Sequence, residues 1–178
     1  MAILPIVLYP DPVLMQSARA LTPEEIRSGT ANGLNLKQFT QDMLETMYAA
    51  PGIGLAAPQV GVSLRIHVMD TTAEKNQPMV LLNPKILAKK GSEKGEEGCL
   101  SFPKLFGMVR RAVQVTVEYT DLTGDLHKIE TTALPARCLQ HEIDHLDGVL
   151  FIDKMSITSK FSMRKDLEEL RRNFLAKK

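Results

Sequence analysis

The chain has 178 residues, of which 44% are hydrophobic, and its formal net charge is +1. This length and apolar content support one folded domain over residues 1–178, and the near-neutral charge gives no reason to expect bulk nucleic-acid or membrane-surface binding. No apolar run approaches membrane-spanning length, and the apolar N-terminus lacks the basic region of a signal peptide, so we expect a cytoplasmic protein.

Two helices are predicted in the first third of the chain. The run 22–25, Thr-Pro-Glu-Glu, is typical of a helix start, and this first helix is expected to end near Gly29. Residues 28–33 are predicted to form a polar loop. A longer helix is predicted to start near Asn35 and to bury apolar residues at helical spacing until Pro51-Gly52 ends it.

Strands are predicted in the middle of the chain. Short apolar runs at 64–70 and 79–83 favour strands, and residues 113–119 alternate between apolar and polar, as a half-buried strand does. A turn at 121–124 returns the chain as a partner strand over 126–131.

The last third is predicted to be mainly helical. One helix is expected over 134–146 and an amphipathic, strongly charged C-terminal helix over about 158–175. Together these elements predict an α+β fold, with mostly antiparallel strands around the central helix 134–146.

That central helix carries the run His141-Glu142-Ile143-Asp144-His145, an H-E-x-x-H motif. Its two imidazoles stand four residues apart, about 6 Å of helical rise, so both can bind one metal ion. The glutamate between them can then face a metal-bound water.

A hydrolytic metal site usually has three protein ligands, and the sequence offers several candidates for the third. Phe151 stands where metzincin peptidases have their third histidine, which excludes that pattern. Glu168 or Glu169 would complete a different peptidase site, but both belong to a dense charged face of the kind that is usually solvated.

Two cysteines remain as candidates. Cys138 lies seven residues before His145, roughly 10 Å along a helix axis, which is too far to share one tetrahedral ion, and it is better explained as a small buried side chain. Cys99 lies in a non-helical stretch between Gly98 and Pro103 that can approach the helix from outside. A Cys99–Cys138 disulfide is the less favoured alternative, since we expect a reducing compartment.

Three motifs, in order and spacing, resemble those of peptide deformylases. They are Gly52-Ile53-Gly54-Leu55-Ala56-Ala57-Pro58-Gln59, Glu97-Gly98-Cys99-Leu100-Ser101 and the H-E-x-x-H run. The resemblance extends from about Pro10 to the C-terminal helix. It implies a hydrolase that removes the formyl group from the N-terminal methionine of newly synthesised proteins and releases formate.

The resemblance also implies a role for each site residue. Cys99, His141 and His145 would hold one divalent ion, most characteristically Fe2+, with Zn2+, Ni2+ and Co2+ as alternatives. The metal-bound water would attack the formyl carbon while Glu142 acts as general base and then general acid. The Gln59 amide and the Leu100 backbone N–H would stabilise the tetrahedral oxyanion.

The substrate-binding residues are implied in the same way. Gly54 would hydrogen-bond the peptide backbone like an added strand, and Ile53, Leu134 and Cys138 would surround the methionine side chain, with Glu97 also at the substrate site. The expected partners are N-formylmethionyl nascent peptides and, through the C-terminal helix, the ribosome; a solvated helix packed on the core is the alternative reading of that segment.

Smaller predictions concern neighbouring residues. Asp144 is expected to pair with Arg110 or Arg111, and His67 and His127 are interpreted as ordinary strand histidines. Many bacterial relatives carry an arginine a few residues after the Cys motif, and Phe106 stands at that place here.

Two other functions remain as hypotheses beside the deformylase. One is a zinc peptidase with Glu168 or Glu169 as third ligand, which predicts cleavage of internal peptide bonds. The other is a non-catalytic ribosome-associated protein, which the presence of Glu142, Gln59 and all three ligands argues against.

Overall fold

The structure, a computed structural model, describes residues 2–176, so Met1 and the last two residues of the predicted domain lie outside it. Its helices are α1 (Pro23–Ser28), α2 (Leu36–Ala49), α3 (Ala133–Leu146), α4 (Ile157–Ser162) and α5 (Arg164–Leu175). Its strands are β1 (Thr30–Ala31), β2 (Leu34–Asn35), β3 (Gly54–Ala56), β4 (Ile66–Met69), β5 (Met79–Lys90), β6 (Glu93–Cys99), β7 (Phe102–Arg111), β8 (Gln114–Thr120) and β9 (Leu126–Thr132). No helix within residues 2–176 is long and apolar enough to cross a membrane.

The strands pair antiparallel throughout. The main sheet has the order β3-β4-β5-β8-β9, and β6 and β7 form a separate long hairpin. Helices α2 and α3 cover opposite faces of this sheet: Val68 packs in the cluster that contains α2, and Met69 in the cluster that contains α3. All four residues of β4 are buried because both faces are covered. The predicted α+β fold with a C-terminal helical segment is confirmed.

The predicted helix starts are found at their caps. Thr22 forms a capping box with Glu25, and Gly29 ends α1 in the left-handed conformation. The side chain of Asn35 accepts a hydrogen bond from the Gln38 backbone N–H and starts α2. The loop prediction for 28–33 is incomplete, because this segment and its flank contain the small β1–β2 hairpin.

The β6–β7 hairpin is the main element that the sequence did not predict. Its first strand is rich in glutamate and glycine, which have low strand propensity, so the sequence predicts no strand before Cys99. Pairing with β7 over its whole length holds it extended.

Two predicted bounds also differ from the structure. Strand β5 continues to Lys90 instead of ending near 83. The predicted C-terminal helix is divided into α4 and α5 at the buried Met163.

His67 on β4 differs from an ordinary strand histidine. Its side chain is fully buried, and neither ring nitrogen has a hydrogen-bond partner. Burial lowers the pKa of His67 to about 3, so its imidazole stays neutral in the folded protein.

We expect His67 to make the protein sensitive to acid. Above pH 6.5 the imidazole is neutral in both states; as the pH falls from 6.5 towards 3, only the unfolded chain takes up this proton, so stability is lost. Between pH 7.5 and pH 5, the free energy of unfolding of the wild type should fall by about 2 kcal/mol more than that of His67→Met. Urea unfolding at the two pH values measures this difference. An equal loss of stability in the wild type and in His67→Met would contradict the prediction.

Candidate metal centre

Three potential metal ligands meet where the β6–β7 hairpin touches α3. Cys99 ends β6, and His141 and His145 lie one turn apart on α3. One ligand atom from each lies within 4.8 Å of the others, and the Cys99 Sγ is 3.2 Å from the His145 Nε2. Both cysteines are free, so the alternative disulfide is wrong.

The chemistry of this cluster fits a divalent ion. A thiolate and two imidazoles form a ligand set that suits zinc, ferrous iron, cobalt or nickel and leaves a coordination position for water. His145 is buried, and burial together with the neighbouring His141 lowers its pKa well below its ordinary value, which keeps it in the neutral form that binds metals.

Glu97 holds the first histidine in position. Its carboxylate accepts hydrogen bonds from Arg111 Nε and Nη2 and from Arg137 Nη1, each at 2.9 Å, and from His141 Nδ1 at 3.0 Å. Because Nδ1 donates to Glu97, Nε2 of His141 is free to bind an ion. Burial alone would raise the pKa of Glu97, but the hydrogen bonds from His141 and Arg111 hold it well below its ordinary value.

Arg111 extends this network to the other end of the motif. It pairs with Asp144, so the expected partnership with Arg110 or Arg111 is confirmed for Arg111. The sequence reasoning missed Arg137, which contacts both Glu97 and the backbone carbonyl of Val109. Its position one helical turn before His141 was a usable signal, since side chains four residues apart share a helix face.

Glu142 lies beside the ligands without being one of them. It is buried, its Oε2 has no hydrogen-bond partner, and burial raises its pKa to about 7. Gly54 on β3 passes close to it: a Cβ on Gly54 would lie only 2.8 Å from the Glu142 Cδ and from the Cys138 Sγ. A glycine is therefore required for β3 to approach α3 at this point.

Gln59 lies beside the cluster, on the short 3-10 helix Ala57–Val60. Its Oε1 accepts a hydrogen bond from the Ala56 backbone N–H at 2.8 Å. Its Nε2 therefore faces the ligands and donates to the Cys99 Sγ at 3.4 Å and to the Ser101 Oγ at 3.3 Å.

A cavity of about 560 Å³ opens onto these groups. All the predicted site residues except His145 line it: Ile53, Gly54, Gln59, Glu97, Cys99, Leu100, Leu134, Cys138, His141 and Glu142. His145 lies behind this wall in the ligand cluster. Cys138 is both a buried core residue and part of the cavity wall. Glu168, by contrast, pairs with Arg164 on the exposed surface of α5 and is not part of the cluster.

An H-E-x-x-H helix and a cysteine that meet at a cavity beside a sheet edge are typical of a hydrolase site. The model of the polypeptide deformylase family matches residues 3–161. The peptide deformylases of Nitrosococcus oceani and Xylella fastidiosa are each 45% identical to this chain over 172 residues, covering 97% of it and 98% of the relative.

Solved structures agree with these relatives. A peptide deformylase from Plasmodium falciparum superposes with a TM-score of 0.88 at 39% identity, covering 97% of this chain and 98% of its own. The Legionella pneumophila enzyme gives 0.84 at 40% identity and covers 99% of both chains. The chain belongs to the polypeptide deformylase family of enzymes.

Proposed function

We propose that this enzyme hydrolyses the N-formyl group from the N-terminal methionine of newly synthesised proteins, with one divalent metal ion held by Cys99, His141 and His145. The observation that carries the proposal is that these three ligands form one cluster, and that Cys99 and His141 from this cluster line the same cavity as Glu142. When bound, the ion would act as a Lewis acid that lowers the pKa of a coordinated water. The resemblance favours ferrous iron, and the ligand set also suits zinc, nickel or cobalt.

Glu142 would transfer the proton. Its carboxylate lies in the cavity wall with Oε2 unpaired, so it can accept a proton from the attacking water and then return it to the amine that leaves.

Gln59 and Leu100 would stabilise the negative charge that develops on the formyl oxygen. The Gln59 amide is already oriented, because its oxygen is held by the Ala56 N–H and its nitrogen faces Cys99. Leu100 directly follows Cys99, so its backbone N–H lies beside the ligands. Donors fixed in advance need no reorganisation, and each contributes roughly 3–4 kcal/mol in comparable sites.

The peptide would lie along β3. This strand is the edge of the main sheet, and Gly52 to Gly54 border the cavity, where an extended peptide can add as a further strand. Ile53, Leu134 and Cys138 line the same cavity and would surround the methionine side chain. The Glu97 carboxylate already accepts four hydrogen bonds, so we propose that it supports the site by orienting His141 rather than by binding substrate atoms.

The proposal extends to the whole chain and its surroundings. Residues 1–178 would form one catalytic domain that acts on nascent chains in the cytoplasm. A ribosome contact through the C-terminal helical segment stays a prediction; its charged helix α5 lies beyond the residues that the family model matches.

Formate release from formyl-Met-Ala-Ser under anaerobic conditions tests the proposed function. We expect formate and free Met-Ala-Ser as products, with no release of acetate from the matched peptide acetyl-Met-Ala-Ser. A metal-loaded protein that releases no formate would overturn the proposal, and cleavage between methionine and alanine would favour the peptidase hypothesis.

A further inference from the structure

Apolar side chains are exposed at the mouth of the cavity. Three side chains that line the cavity are partly open to solvent: Phe106 on the β6–β7 hairpin is 61% exposed, Leu134 48% and Ile53 38%. Exposed apolar groups that border one opening are typical of a surface that binds a ligand. Ile53 and Leu134 belong to the proposed methionine pocket, but Phe106 has no role in the reaction described above.

The Phe106 ring is held beside the metal ligands. Phe106 is the cross-strand partner of Gly98, next to Cys99, and its ring lies over that glycine: a Cβ on Gly98 would be 2.6 Å from the Phe106 Cε1. Residues alternate along β7, so Phe106 and Met108 are exposed while Gly107 is buried. The ring is therefore fixed on one side by Gly98 and open to the cavity mouth on the other.

A bound peptide would have to pass this ring. In the proposed binding mode the formyl group would lie at the ligands and the methionine side chain in its pocket, so the following residues would leave through the mouth. An extended chain advances about 3.3 Å per residue, and the two residues after methionine therefore span about 7 Å. The exposed charges at the mouth, Glu96 and Lys104, have opposite signs and give no net preference for a charged peptide.

We propose that Phe106 determines substrate specificity: it makes the enzyme favour formylmethionyl peptides with a large apolar side chain at one of the two residues after methionine. This inference rests on the proposed deformylase activity and names the peptides that it prefers. The competing explanation is structural, namely that the ring only covers the Gly98 backbone. In that case its loss would change stability and leave the choice of peptide unchanged.

The test compares kcat/KM for formyl-Met-Leu-Ser, formyl-Met-Ser-Leu and formyl-Met-Ser-Ser. In the wild type, one leucine peptide should exceed the serine peptide by roughly three- to tenfold, because the leucine side chain is partly removed from water by the ring. Phe106→Ala should abolish this ratio mainly through KM, since the ring does not touch the reacting atoms. Met108→Ala changes the same face of β7 outside the cavity wall and should keep the wild-type ratio.

A second variant distinguishes a change in specificity from a loss of folding. Phe106→Lys keeps an aliphatic stem over Gly98 and should shift the preference from leucine towards glutamate at the same peptide position. Equal leucine-to-serine ratios in the wild type, Phe106→Ala and Phe106→Lys would overturn the specificity role while deformylation itself stands. Absence of formate from every peptide would instead refute the proposed function.

Discussion

Glu142→Gln is expected to reduce formate release from formyl-Met-Ala-Ser by about a hundredfold to ten-thousandfold, with bound metal unchanged. Glutamine has the size of glutamate but cannot accept the proton of the attacking water, and general acid–base catalysis contributes effects of about this magnitude. Glu142 is not one of the three ligands, so its replacement leaves the metal-binding cluster intact. Single-turnover formate release, measured together with metal content, gives both quantities.

The matched control is Glu45→Gln, the same chemical change at a partly exposed position on α2, away from the cavity. This variant should release formate at the wild-type rate. Near-wild-type activity in Glu142→Gln would show that another group takes the proton, and the proposed mechanism would then be wrong.

Cys99→Ser is expected to lose both its metal and its activity. A serine hydroxyl does not deprotonate as a thiol does and is a much weaker ligand, so only two imidazoles would remain. Loss of an outer-shell partner lowers metal affinity by about 10–100-fold, and loss of a direct ligand should exceed this. The measurement is bound metal per chain after anaerobic dialysis, followed by formate release.

Cys138→Ala serves as the control for metal content. Cys138 is the other free cysteine, its pKa is raised by burial, and it is not part of the ligand cluster, so the variant should keep its ion. Full metal content and activity in Cys99→Ser would overturn the assignment of the third ligand and, with it, the coordination chemistry proposed for the site.

The helices that build the site could be predicted because their signals are local. Asn35 caps α2 where expected, and α3 starts at Ala133, one residue before the predicted position. Cys99 could be preferred as the candidate third ligand because helical geometry excludes Cys138 as a partner of His145, and the structure places Cys99 in the ligand cluster.

Other features depend on partners that are distant in the sequence. The β6 strand, with its Glu-Gly-rich sequence, is extended only because β7 pairs with it, and no local propensity indicates this. The Arg137 side chain passes directly over Gly95 on β6: a Cβ on Gly95 would lie 2.7 Å from the Arg137 Nη2. The glycine leaves the space that Arg137 occupies. The burial of His67 likewise depends on a second face of β4 being covered, which the apolar run alone does not specify.

The position of the ligands gives the proposed ion a second effect, on folding. Cys99 belongs to a hairpin outside the main sheet and His145 to α3, and 46 residues of sequence separate them. An ion that binds both acts as a crosslink that the unfolded chain lacks, so its binding free energy adds to the stability of the native state. The amount of correctly folded enzyme in a cell would then depend on the metal supply at the time of synthesis. Catalysis by the folded enzyme would depend on the same metal as well.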